Sequence, residues 1–98
     1  MKKIKLRNGR LILHDRIIPK GTILIEEGKI VAVAEGDLDF PDAETIDAKG
    51  NYVSPGFIDI HVHGGGDHDF MDGTEEAFLK VAELHAAHGT TSMMPTTL

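Results

Sequence analysis

The amino-acid sequence predicts a fold of the class α/β plus β. Residues 1–54 read as a β-meander, part of a small β-sandwich. Residues 55–98 read as the first strand, helix and second strand (the first βαβ unit) of a (β/α)8 barrel that is incomplete in this chain. Three observations predict it. Up to Ser54, short apolar-polar alternations are separated by tight-turn dipeptides, the pattern of strands with one wet face. At Phe57–Val62 the alternation gives way to a near-continuous apolar run closed by Gly64-Gly65-Gly66, which suits a strand buried on both faces. A helical period and another short apolar run then follow, ended by Pro95.

Lys3-Ile4-Lys5-Leu6-Arg7 alternates charge with apolar side chains and opens the meander. Asn8-Gly9 predicts a hairpin turn, with Arg10–Ile18 as the returning strand, stopped by Pro19. Thr22–Glu26 and Lys29–Ala34 flank Glu27-Gly28, a second hairpin, and Leu38 to Ala43 is an acidic loop containing Pro41. Thr45–Asp47 and Tyr52–Ser54 flank a third turn at Lys49-Gly50-Asn51. After the Phe57–Val62 strand and an Asp67–Asp72 loop comes a helix of about fifteen residues. Asp72 or Thr74 can cap it, Glu75 and Glu76 suit its first turn, and Gly89 is a natural residue just past its end. Phe78, Val81, Ala82 and Leu84 form its expected apolar stripe. Thr90–Met94 is the second barrel-type strand, with Met93 and Met94 filling the core. A strand-helix-strand unit of this kind crosses over right-handedly.

Composition narrows the chemistry. With no cysteine in 98 residues, disulfides and thiolate metal sites are excluded, so any metal must be held by His and carboxylate side chains. No apolar run is long enough to span a bilayer, and the basic start lacks the apolar core of a signal peptide, so a cytoplasmic location is expected. Charge is unevenly spread. Residues 1–20 carry seven Lys or Arg against one Asp, whereas the rest of the chain carries three against fifteen acidic side chains. The basic end reads as the wet face of a strand rather than a nucleic-acid patch, since nothing aromatic or glycine-rich accompanies it.

The histidines carry the functional signal. His61 and His63 are spaced i, i+2, which on a strand puts both on one face, at the carboxyl end where parallel barrels build their sites. Two imidazoles placed so can chelate one divalent ion. Zinc fits best, and iron, nickel and cobalt are compatible. Asp59 lies one pleat deeper. It either orients a ligand imidazole or pairs inside the barrel.

In this setting the run Ser54-Pro55-Gly56-Phe57-Ile58-Asp59-Ile60-His61-Val62-His63-Gly64 resembles the amidohydrolase superfamily, which combines a metal-bearing (β/α)8 barrel with a small β-sandwich. With Gly64-Gly65-Gly66, His68-Asp69-Phe70-Met71-Asp72, Gly89-Thr90-Thr91-Ser92 and Met94-Pro95-Thr96, it is similar to the N-acetylglucosamine-6-phosphate deacetylase family, and the resemblance covers essentially the whole chain. That resemblance implies hydrolysis of the N-acetyl group of a small amino-sugar phosphate to acetate and glucosamine 6-phosphate, with a metal-activated water. A homo-oligomer is expected for the complete enzyme, and the charge pattern and run lengths above lead to no expected nucleic-acid or membrane partner. The carry-over from the resemblance lands on His61 and His63 as metal ligands. The remaining ligands and the catalytic Asp are expected beyond Leu98, so no catalytic residue is assigned within the chain and the isolated chain is expected to be inactive.

Two other classes compete. A dihydroorotase or hydantoinase relative would share Pro-Gly-Phe-Ile-Asp-x-His-x-His, but an Arg soon after the histidines would be expected, and Gly-Gly-Gly-Asp-His-Asp stands there instead. A non-catalytic β scaffold is the third. Elsewhere the bland readings prevail. The triple glycine reads as a flexible loop rather than a phosphate cradle, because no Gly-Lys-Ser/Thr follows it. His68 and its neighbouring aspartates read as loop polar groups. His85 and His88 read as cations suited to a helix C-terminus, and His14 as an isolated strand residue.

Overall fold

A computed structural model describes residues 2–98. Two compact units follow one another along the chain, one ending at Pro55 and the other beginning at Gly56.

The first unit is a five-stranded sheet. Strands β1 (Lys3–Ile12), β2 (Ile17–Glu26), β3 (Lys29–Glu35) and β4 (Glu44–Asp47) lie in the order β3-β2-β1-β4, and the short β5 (Tyr52–Val53) also pairs with β1. The β1–β2 and β2–β3 pairs are antiparallel, whereas β4 and β5 both run parallel to β1. The unit is therefore not the simple meander that the turn signals suggest.

Asn8-Gly9 explains the difference. The dipeptide does not reverse the chain. β1 runs straight through it, and the register slips by one residue between Leu6 and Gly9, a β-bulge with Asn8 at φ 58°. The left-handed backbone that favours Asn in a hairpin turn serves a bulge equally well. The reversal comes later, where the Leu13 N–H donates to the Arg16 carbonyl at 2.8 Å. Nor does Pro19 end β2. It lies where the β1–β2 register slips again, between the Gly9↔Gly21 and Leu11↔Ile18 pairs, and a bulge tolerates a missing N–H.

On the other side of β1, the loop Ala48–Asn51 steps around the bulge instead of closing a hairpin. The Ala48 N–H donates to Arg7 O (2.9 Å), Gly50 N–H to Asn8 O (2.8 Å), and Arg10 N–H to Asn51 O (2.9 Å). Asp47 anchors this corner. It accepts the Lys49 N–H at 2.7 Å, the Asn8 side-chain amide at 3.1 Å and the Arg7 guanidinium at 3.2 Å. The Lys49 amide above all, then the Asn8 side chain, holds its carboxyl below the ordinary carboxylate value. Asp37 is lowered too, chiefly by its hydrogen bond from Lys5, whose ammonium lies 2.8 Å away.

Leu11, Ile18 and Leu24 are buried in this unit. Thr22 joins them at 1% exposure because its hydroxyl donates to the Gly36 carbonyl at 2.7 Å. A third bulge, at Val31 in β3, brings Ile30 and Val33 together beside Leu11, Ile23 and Val53 around a shallow apolar groove of about 100 Å³.

The second unit is one β-α-β crossover. β6 (Phe57–Val62) pairs in parallel with β9 (Thr90–Pro95). Between them lie a small hairpin, β7 (Gly64–Gly65) with β8 (His68–Asp69), a 3-10 turn (Phe70–Asp72) and the helix α1 (Glu75–Ala87).

The cap ambiguity resolves by division of labour. Thr74 caps α1, its hydroxyl accepting the Ala77 N–H at 3.1 Å. Asp69 and Asp72 cap the 3-10 turn reciprocally, Asp69 accepting from Met71 N–H (2.8 Å) and Asp72 from Asp69 N–H (3.0 Å). The face that α1 buries is Ala77 and Val81, one turn apart, and not the wider stripe through Ala82 and Leu84. Val81, Val62 and Phe70 form the core, with Met93 packed against it, while Met94 is exposed. Phe78 stacks on Phe70 with ring centres 5.3 Å apart. No described helix is long and apolar enough to cross a membrane.

Candidate metal centre

β6 and β9 position the histidine pair. The register of β6 slips between Asp59 and Val62, so the strand bulges where His61 begins the pair. Bulges commonly re-aim side chains beside functional sites. The His61 N–H has a partner in its own strand, the Asp59 carboxylate at 3.0 Å. Asp59 thus engages the backbone of the pair, which is neither the contact to an imidazole nor the pairing inside the barrel that the sequence left as alternatives.

The two rings converge. His61 Nε2 and His63 Nε2 lie 3.0 Å apart, with ring centres 4.9 Å apart and planes at 71°. His61 is exposed and His63 half-buried. At 3.0 Å the Nε2–H of one ring can donate to the Nε2 of the other. The same separation fits an ion between them. Two nitrogens each about 2.0–2.1 Å from one zinc stand about 2.9–3.4 Å apart, for angles from a right angle to tetrahedral. The donor set of two imidazole nitrogens and no thiolate suits zinc and its neighbours in the first transition row. Among the described residues, no third His, Cys, Asp or Glu joins them to complete a cluster.

Fixed backbone surrounds the pair. The His63 carbonyl accepts the Phe70 N–H at 2.9 Å. Thr96 bonds Val62 from both sides: its N–H donates to Val62 O at 2.8 Å, and its hydroxyl accepts the Val62 N–H at 3.2 Å. Sequence reasoning used Thr96 only as part of a family signature. The one signal available was its place just past Pro95, a residue that cannot donate.

The glycines after His63 form an ordered hairpin, not the flexible loop expected. Gly66 and Asp67 sit at φ 57° and 65°, both left-handed as a type I′ turn requires. A Cβ on Gly64 would collide with the His68 carbonyl oxygen, and one on Gly65 would come within 2.7 Å of Leu84 Cδ2.

The other histidines serve backbone or surface. His85 Nε2 lies 3.1 Å from Gly64 O, and His88 Nδ1 lies 2.9 Å from Leu84 O. The two therefore address separate carbonyls rather than converging. His68 Nδ1 stands 4.0 Å from Asp72, and His14 lies in an exposed turn with Nδ1 3.9 Å from Asp15.

No protein-family model matches the chain. Individual proteins do. The chain is similar to a dihydroorotase of Bacillus cereus, 34% identical over 97 residues that span 93% of this chain and 21% of that protein. It is 30% identical over 76 residues to an N-acetylglucosamine-6-phosphate deacetylase of Lysinibacillus sphaericus, spanning 78% and 19% of the two. Among solved structures it superposes on the N-acetyl-D-glucosamine-6-phosphate deacetylase of Mycobacterium smegmatis, solved in complex with N-acetyl-D-glucosamine-6-phosphate. There the TM-score is 0.82 and the identity 26%, over 97% of this chain and 24% of that one. The chain is a relative of the amidohydrolases. It spans 19–21% of the length of these two curated relatives. Its sheet unit and its β-α-β unit have the fold of the corresponding quarter of the deacetylase.

Proposed function

We propose that this sequence provides the first arm of a divalent-metal centre, His61 and His63, in an enzyme that removes the N-acetyl group of an N-acetylamino-sugar phosphate. Residues 1–54 would belong to its β-sandwich and residues 55–98 to its barrel. The observation that carries the proposal is the convergence of the two Nε2 atoms to 3.0 Å at the carboxyl end of a parallel strand. A divalent ion there would polarise the amide carbonyl and acidify a water. His61 and His63 present nitrogen lone pairs, and Asp59 and Thr96 hold the intervening backbone.

The deacetylase reading draws on the structural likeness across nearly the whole chain and on Gly-Gly-Gly-Asp-His-Asp in place of an arginine after the histidines. A second reading, hydrolysis of a cyclic amide, draws on the longer stretch of identity to a dihydroorotase. Two chimaeras separate them. In one, residues 1–98 replace the matching quarter of the Mycobacterium smegmatis deacetylase, and in the other the matching fifth of the Bacillus cereus dihydroorotase. Acetate release by the first, abolished by His61→Ala, is expected. Activity in the second chimaera alone overturns the deacetylase reading.

A further inference from the structure

We infer that Thr96 is a positioning residue for the His61–His63 pair, an inference that rests on the metal reading above. Val62 is the residue between the two histidines, and its side chain is only 5% exposed, fixed against Phe70, Val81 and Met93. Its peptide groups decide where the flanking imidazoles point, because each histidine shares one peptide unit with it. The register pairs Val62 with Pro95, which has no N–H to give. In a parallel ladder the bonds of Val62 go to the two neighbours of Pro95, its N–H towards the Met94 carbonyl and its carbonyl to the Thr96 N–H, and the Thr96 hydroxyl adds a second acceptor for the Val62 N–H. The Thr96 N–H donates to the Val62 carbonyl at 2.8 Å, while its hydroxyl accepts the Val62 N–H at 3.2 Å and donates to the Met94 carbonyl at 3.1 Å.

One hydroxyl with one hydrogen and two lone pairs thus closes a ring of three groups around the Val62 amide. This matters because β6 has lost regular register between Asp59 and Val62. A bulged segment has freedom that a regular ladder lacks, and two ligands on it converge only if something outside the ladder fixes them. Thr96 supplies that constraint from β9, as Asp59 does from β6. Ligand geometry must be held to within about half an ångström for tight binding, and loss of such a support costs metal affinity about ten-fold or more.

The test compares Thr96→Val, which keeps shape and loses the hydroxyl, with Thr96→Ser, which keeps the hydroxyl. Cobalt(II) is titrated into the 98-residue chain and followed by its visible absorption, with His61→Ala/His63→Ala as the blank. Thr96→Val should weaken binding about ten-fold, and Thr96→Ser should bind within about three-fold of the parent. A second readout needs no ion: the NOE between the His61 and His63 ring protons in the metal-free chain, expected to be lost in Thr96→Val and kept in Thr96→Ser. Equal cobalt affinity and an unchanged NOE in Thr96→Val overturn the inference. If the parent binds no more cobalt than the blank, the pair holds no ion without further ligands, and the NOE comparison alone decides whether Thr96 positions it. Should Thr96→Val lose its dispersed amide spectrum, Thr96→Cys, a weaker donor and acceptor, takes its place, with a smaller fall expected. Affinity and NOE equal to the parent in that variant are equally fatal.

Discussion

The two units use polar side chains for opposite ends. In the sheet unit they lock turns. Asp47 gathers the Lys49 amide, Asn8 and Arg7 at the corner beside the bulge, and Lys5 ties down Asp37. In the β-α-β unit they lock a strand end: Asp59, Thr96 and His85 each bond backbone beside the histidines. The apolar side differs as well. The core of the second unit is the small cluster of Val62, Phe70 and Val81, while Ile58 and Ile60 of the same strand are more than 70% exposed. A run written for burial on both faces is thus buried at one end only. The rigidity of the histidine pair therefore comes from hydrogen bonds more than from packing, and the reverse holds for Leu11 and its neighbours in the first unit.

The largest effect should come from the cores. Phe70→Ala should cost about 3–5 kcal/mol, read as lost hydrogen-exchange protection in β6 and β9 with β1 and β2 unchanged. Leu11→Ala should cost about 2–5 kcal/mol with the opposite pattern. Loss of protection in both units from either variant would break the division between them. A smaller effect is expected at Thr22, where Val in its place removes the bond to Gly36 and costs about 1 kcal/mol in chemical denaturation. Asp59→Asn should change cobalt affinity little, since an amide oxygen still accepts the His61 N–H, whereas Asp59→Leu should weaken it. A large loss in Asp59→Asn would mean that the charge, and not the hydrogen bond, is what the site uses.

The mildest test is acid. The carboxyls of Asp37 and Asp47 are held below their ordinary value in the fold. Their contribution is present in full above about pH 4, the unfolded value, and is lost as pH falls from there through the folded one. Amide signals of β1 and β4 should therefore fade below about pH 4, and Asp47→Asn should flatten that dependence. Fading confined to β6 and β9 would reverse the contrast drawn between the units.

Much of this was legible beforehand. Periodicity found the strand-helix-strand order at residues 57–94, and spacing found the histidine pair, because both are local properties of the chain. Asn8-Gly9 was misread because a left-handed pair of residues marks a turn or a bulge alike, and only the partner strand decides which. The parallel pairing of β4 and β5 with β1 is likewise a matter of partners. Asp72 looked as good a helix cap as Thr74 until Asp69 claimed it. Thr96 was invisible as a support because its role depends on the register that sets Val62 against Pro95, thirty-three residues away in sequence.

Pro95 has a consequence on its other side. Since the bonds to Val62 come from its neighbours, the nitrogen and carbonyl of Pro95 itself face away from β6, toward the opposite edge of β9. The row of donors along that edge therefore has a gap. A strand seeking to add there finds one rung without a hydrogen to share, so indiscriminate growth of this two-stranded sheet is penalised and only a strand whose register tolerates the gap can join.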